Sequence, residues 1–335
     1  MNEDLVKRAI NFFGIQPAHI HNVEKGYRNS SYHFTSVEGH DLNLIFYKNE
    51  SGILDRIKRA DQVSELAFSR GLSVRHLYDT RILTLKNNHK TIYARLYHYL
   101  PGQTIAWEMY SMKHIKLLGQ AMSDLHSAIK DSRAQLPLAS NELLDQHAYI
   151  SEYFANPSIQ KAVQTKLQLR INQSIFDQFK QTILIANELP SQPLHLDLVR
   201  GNILYSSHKL EACKNTADPI WQISDLTISG LIDFEKSARG HVIFDLARSY
   251  AFLLADCANK TPDKIYKYLI HSGYNKRGSS YADFDRHLFD GLVSYYLFYD
   301  FYKFLEHNPY EFLNQNHHYL RTRDILIDRK VLKSS

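Results

Sequence analysis

Cysteine is scarce: only 2 occur, Cys213 and Cys257, in no CxxC or zinc spacing. That excludes a disulfide framework or a zinc ribbon and fits reduced thiols in a cytoplasmic protein. No apolar run approaches the ~20 residues that cross a bilayer. The opening Met1-Asn2-Glu3-Asp4 carries neither a basic nor an apolar leader pattern, so membrane and secretory pathway are not expected. An excess of one charge is missing too. Forty Lys and Arg face 35 Asp and Glu without a basic block, so nucleic acid is not an expected partner. The phosphate-cradling pattern GxxxxGK[ST] is absent, as are internal repeats and low-complexity segments.

What is present is concentrated in two stretches. Pro193 to Tyr205 sets an apolar run beside His195 and Asp197, and Asn202 follows in the same short loop. Gly230-Leu231-Ile232-Asp233-Phe234-Glu235 ends a second apolar run on an acid. The loop between Asp197 and Asn202 should return the chain, aiming both side chains into one cleft. One carboxylate to take a proton, with an Asn and a second carboxylate as hard oxygen ligands for Mg²⁺, is the minimum set for phosphoryl transfer from ATP to a hydroxyl.

The order His195-x-Asp197-(x)4-Asn202, then Ile232-Asp233-Phe234-Glu235, resembles the signature of the aminoglycoside phosphotransferase and choline kinase-like group. These are small-molecule kinases with the protein-kinase fold. The resemblance implies that Asp197 is the catalytic base, that Asn202 and Asp233 ligate metal, and that His195 supports the loop. Phe244-Asp245-Leu246-Ala247 matches a further family element, in which Asp245 braces the loop near His195. The implied fold class is α+β and two-lobed. Residues 1–100 would form a small antiparallel β lobe for the nucleotide, and 101–335 a larger, mainly helical lobe for catalysis and the acceptor.

Periodicity agrees with that division. Residues 4–13 carry a helical apolar stripe, and 19–48 alternate as strands around turns at Gly26–Ser31 and Glu38–Asp41. The loop ending in Asn29, Ser30 and Ser31 resembles the family's reduced nucleotide loop. A kinase also needs a cation on its third strand to grip the phosphates, paired with an acid on the next helix. Here that position is Ile45; Lys48 is the nearest cation, Arg28 the alternative from the loop, and Asp61 and Glu65 are both candidate acid partners. A helix spans 54–70, strands are expected over 74–85 and 91–99, and Tyr97-His98-Tyr99-Leu100-Pro101-Gly102 resembles the family hinge. There the backbone of His98 and Leu100 would receive the base of ATP or GTP.

Beyond the hinge, helices are expected over 112–129, 141–154, 159–187, 242–257, 262–273, 281–306 and 309–328, with His126 structural and an insertion at 207–224. The aromatic run Tyr295 to Tyr302 reads as internal packing, or as a contact in a monomer or homodimer. Arg200, the only cation of the catalytic loop, is a candidate to neutralise developing γ-phosphate charge. Asp256, Asp283, Asp285, Asp300 and Glu306 are available to bind an acceptor. The expected activity is ATP-dependent phosphorylation of a small-molecule hydroxyl. Two alternatives stay open, a kinase acting on protein and an inactive nucleotide-binding pseudokinase.

Overall fold

The computed structural model describes residues 3–25, 29–87, 90–207, 221–277 and 284–334. Gly26, Tyr27, Arg28, Asp283 and most of the 207–224 segment, Cys213 included, lie outside them. Strands β1 (Pro17–Lys25), β2 (Asn29–Ser36), β3 (Asp41–Tyr47), β4 (Leu83–Asn87) and β5 (Lys90–His98) form one antiparallel sheet in the order β1-β2-β3-β5-β4. Alternation gives it two different faces. Helix α1 (Glu3–Phe13) lays Leu5, Ala9 and Phe13 on Phe34, Leu42, Leu44 and Leu96. Helix α2 (Ile53–Ser69) sets Ile53 and Ile57 against Ile45, Tyr47 and Tyr97 on the other face. Each buried Leu, Ile or Phe among them contributes about 1.5–3 kcal/mol relative to exposure.

The strand expected over 74–85 is shorter than its alternation suggests. Only Leu83 onward joins the sheet, and the stretch before it is shared with the other half of the molecule. Val74 bridges Leu231 in parallel, Leu77 bridges Tyr97, and the Arg75 amide donates to the Leu231 carbonyl at 2.9 Å. Asn29 to Ser31 belong to β2 and pair with Tyr47, Phe46 and Ile45, so they are strand rather than loop.

After β5 the chain crosses through Pro101-Gly102. Gly102 has φ +130, and a Cβ there would stand 2.2 Å from Ser229 Oγ and 3.1 Å from the Tyr205 carbonyl. The remainder is mainly helical, with α3 (Met112–Ile129) buried through its centre. Next come α4 (Ala139–Ala155), α5 (Pro157–Leu167), β6 (Leu169–Ile171) and α6 (Ser174–Asn187). The single helix expected over 159–187 is broken at Gln168, which takes φ +54 and lets β6 pair with the last strand. Short strands β7 (Gln192–Leu194), β8 (Ile203–Ser207), β9 (Gln222–Ile223), β10 (Leu226–Leu231) and β11 (Ala238–Gly240) carry the two signature stretches. Helices α7 (Ile243–Asp256), α8 (Pro262–Tyr266), α9 (Arg286–His307), α10 (Tyr310–Leu313) and α11 (His317–Asp328) follow, then β12 (Leu332–Ser334). The aromatic run packs internally: Phe298 meets the rings of Phe154, Phe176 and Phe179 at 5.3–5.8 Å. Among the described residues, no helix is long and apolar enough to cross a membrane.

Candidate active site

Strands β7 and β11 pair through Leu194 and Ala238, which brings the two signature stretches side by side. The loop leaving β7 is pinned from helix α7. Asp245 accepts the amides of His195 at 2.9 Å and Leu196 at 2.7 Å, and its Oδ2 also meets His126 Nε2 at 3.0 Å. Leu196 holds φ +57, a left-handed conformation that costs a non-glycine residue on the order of 1 kcal/mol. The Asp245 bonds offset that strain. His195 is fully buried, and burial lowers its pKa, so the ring is neutral. Its Nδ1 accepts the Asp197 amide at 3.2 Å; Nε2 therefore carries the proton and donates to the Ile232 carbonyl at 3.2 Å. His195 thus ties Asp197 to the residue before Asp233.

Asn202 closes the loop from its other end. Its Nδ2 donates to the Asp197 carbonyl at 2.8 Å and to Oδ2 at 3.3 Å, and its own carbonyl accepts the Ile232 amide at 3.0 Å. Asp197 is 8% exposed, and its Oδ1 accepts from Arg248 Nη2 at 2.8 Å and Lys236 Nζ at 3.0 Å. Burial opposes its charge, but the two cations prevail and hold its carboxyl below the usual range. Asp233, at φ +66, is pushed up to about 8 by burial and by the neighbouring Glu235 carboxylate. Glu235 is in turn held down to about 2: burial raises it, but Arg75 and the hydrogen bonds the carboxylate accepts together outweigh that. An Asn amide oxygen beside crowded carboxylates, one of them pushed toward its neutral form, is a donor set suited to a hard divalent cation.

A cavity of ≈ 270 Å³ runs from this corner to the sheet. Of the residues expected to bind nucleotide or metal, Asn29, Ser31, His98, Leu100, Asn202 and Asp233 line it. Ser30 does not, because alternation along β2 turns it to the opposite face. His33 and Tyr99 form one wall, their rings stacked 3.5 Å apart at 4°. The His98 and Tyr99 amides already donate to the carbonyls of His76 and Asp41, leaving the Leu100 amide as the hinge donor among the described residues.

Two expected cations stand elsewhere. Lys48 lies past the end of β3, exposed and outside the cavity lining. Arg200 is exposed on the turn Arg200–Asn202 and also outside it. The cation that lines the cavity is Arg75, which bonds Glu235 at 2.9 Å. Neither Asp61 nor Glu65 partners it directly. Asp61 binds Arg95 and the Tyr97 hydroxyl, while Glu65 accepts the Leu77 amide at 2.6 Å. Sequence reasoning missed Arg75, Glu235, Lys236 and Arg248 as site residues. Arg248 had a readable signal, since it lies one helical turn after Asp245 and shares its face. Arg75 had none, because its partner is 160 positions away.

Of the acids available to bind an acceptor, the four described ones are otherwise engaged. Asp256 and Asp300 hold the two nitrogens of His318, which they push up to about 10 against the effect of burial. Asp285 caps α9, and Glu306 accepts from Tyr302 and Lys303.

The model of a phosphotransferase enzyme family matches residues 19–213 of the chain. Among curated proteins none matches. Similar solved structures include a microcompartment-associated aminopropanol kinase, at 13% identity and TM-score 0.69 over 100% of both chains. The amicoumacin kinase hAmiN, in complex with AMP-PNP, Ca²⁺ and Ami, has 13% identity and TM-score 0.66 over 98% of this chain and 94% of that one. The GDP complex of a wild-type aminoglycoside 2'-phosphotransferase-IIIa has 15% identity and TM-score 0.57, covering 98% of this chain and 99% of that one. At such identities these likenesses establish the shared α+β kinase-like fold.

Proposed function

Because the chain belongs to the phosphotransferase enzyme family, we propose that it transfers the γ-phosphoryl group of ATP or GTP to a small-molecule hydroxyl, with Mg²⁺ held by Asn202 and Asp233. The observation that carries this reading is the convergence of Asp197, Asn202 and Asp233 on one corner, where hydrogen bonds through His195 and Asp245 tie Asp197 and Asn202 to Ile232, the residue before Asp233. Complexes of similar proteins with AMP-PNP and with GDP support a nucleotide donor.

The nucleotide base lies against His33 and Tyr99 and takes the Leu100 amide, between the part up to 100 and the part from 101. Asn29, Ser31 and Arg75 face the phosphates. A divalent cation at Asn202 and Asp233 supplies charge neutralisation to the triphosphate. Asp197, kept ionised by Arg248 and Lys236, orients the acceptor hydroxyl and receives its proton late, because the transition state is largely dissociative and positioning dominates.

Arg75 also weighs against an inactive pseudokinase, since the cation missing at Ile45 is replaced in space. A small molecule is favoured over a protein acceptor because only a three-residue turn and the short strand β11 separate Asp233 from α7. Transfer of labelled phosphate from ATP and GTP tests the reading. Asp197→Asn should lower turnover by about 10²–10⁴-fold with nucleotide affinity retained. Full turnover in that variant would end the proposal.

A further inference from the structure

A second cavity, of ≈ 300 Å³, is lined by Lys236 and Arg248, the two cations that bond Asp197. Its lining includes four cations, Arg56, Arg59, Lys236 and Arg248, with Glu142 and Glu235 as its acids. Several of these charges are already matched. Glu235 is committed to Arg75 and Arg56 to Glu50, both at 2.9 Å. Lys236 and Arg248 share the single oxygen Asp197 Oδ1, so two cations stand over one carboxylate. Arg248 Nε is buried without a partner, and Arg59 makes no hydrogen bond or ion pair among the described residues. Exposed Glu142 is the one lining acid that no described cation bonds directly, against Arg59 and one charge of the Lys236–Arg248 pair. The corner is short of an anion, and crowded cations are tolerated best where a ligand supplies one.

We infer that the acceptor is an anionic hydroxy compound, its carboxylate or phosphate held by Arg248, Lys236 and Arg59 while its hydroxyl meets Asp197. This rests on the phosphotransferase reading above and goes beyond it by naming the acceptor's charge. It also separates this chain from an acceptor site for polycations, for which the acids of the last helices would have to be free. Asp256 and Asp300 are instead both engaged by His318, whose single positive charge leaves one negative charge on the pair. In the transfer, the hydroxyl oxygen bonds to Pγ, and the bond from Pγ to the β-bridging oxygen breaks with its electron pair leaving on the nucleoside diphosphate. The hydroxyl proton passes to Asp197 and then to solvent.

The experiment presents wild type, Asp197→Asn and Arg59→Gln with labelled ATP and four acceptor pools. These are hydroxycarboxylic acids, phosphorylated sugars and polyols, neutral polyols, and cationic amino alcohols with aminoglycosides. Asp197-dependent hydrolysis of ATP by water is followed alongside. The expected result is transfer in one of the two anionic pools, which also tells carboxylate from phosphate. In Arg59→Gln the acceptor KM should rise about 10- to 100-fold, as for loss of one charged hydrogen bond, with the ATP KM unchanged. Transfer only to neutral or cationic pools overturns the inference and leaves the kinase reading standing. No transfer anywhere with Asp197-dependent hydrolysis intact also counts against an anionic acceptor. Loss of both transfer and hydrolysis removes the phosphotransferase reading itself.

Discussion

Arg75 shows how one residue can serve stability and function through the same contact. Its guanidinium is buried, pairs with Glu235 and lies 4.7 Å from the Tyr97 ring centroid. Removing it leaves Glu235 buried and unpaired, a defect that costs about 3–5 kcal/mol. Arg75→Ala should therefore lower the urea midpoint strongly and raise the nucleotide KM. A second change, Glu235→Ala in the same chain, should restore much of the stability but not the affinity, since only the first effect comes from the orphaned charge. If the double variant recovered nucleotide affinity as well, Arg75 would be a structural cation only. His195 is the contrasting case. It lines neither of the two cavities described, yet its two ring nitrogens set the distance between Asp197 and the residue preceding Asp233.

Among the elements, the crossing at Pro101-Gly102 is tightly held. Gln103 pairs with Tyr205 in both directions at 2.9 Å, so the segment lies flat on β8 and β10. Ser229 Oγ donates to the Pro101 carbonyl at 2.6 Å. Gly102→Ala adds a methyl where Ser229 Oγ and the Tyr205 carbonyl already stand, at a φ that L side chains avoid. About 1–3 kcal/mol of stability should be lost, read by chemical denaturation, together with a higher nucleotide KM because Leu100 shifts. Adding Ser229→Gly should return only the part due to the clash; full recovery would mean that backbone strain at Gly102 is negligible. The loop after β7 has the opposite design, in which a strained Leu196 is held by carboxylate bonds from α7.

For the whole molecule, buried and half-buried histidines set opposite limits on stability with pH. His195 and His241 have lowered pKa values, to about 4 for His241, with burial the leading cause in both. Below the unfolded value of about 6.5, the unfolded chain takes protons that the folded chain refuses. Stability from these two is therefore complete above about 6.5 and falls as pH drops toward 4. His318, raised to about 10, behaves in reverse. Its contribution is complete below about 6.5 and is lost as pH rises through 10. Tm should peak between these limits, with His318→Gln flattening the alkaline side in a thermal melt series. An unchanged alkaline slope in that variant would show that the His318 ion pairs do not stabilise the fold.

The parts of this protein legible from sequence are those whose partners are close along the chain. Helical stripes such as Leu5, Ala9 and Phe13, or Ile115, Leu118 and Met122, announce a buried face because periodicity is local. Asp197 and Asn202 share one loop, so their spacing alone requires that they meet, and Asp245 at the start of α7 is readable beside them. The strand expected over 74–85 and the single helix expected over 159–187 differ from the structure where distant chain intervenes, through Leu231 in the first case and β12 in the second. Apart from Arg248, readable one turn after Asp245, the cations are settled by tertiary structure. Lys48 and Arg200 are near the motifs in sequence but outside the cavity in space, whereas Arg75, Lys236 and Arg248 reach the site from α2's exit, the turn after Asp233 and α7. Charge acts through space over several ångströms regardless of chain position. A sequence therefore names which residues could do the chemistry, and packing alone decides which charges surround them.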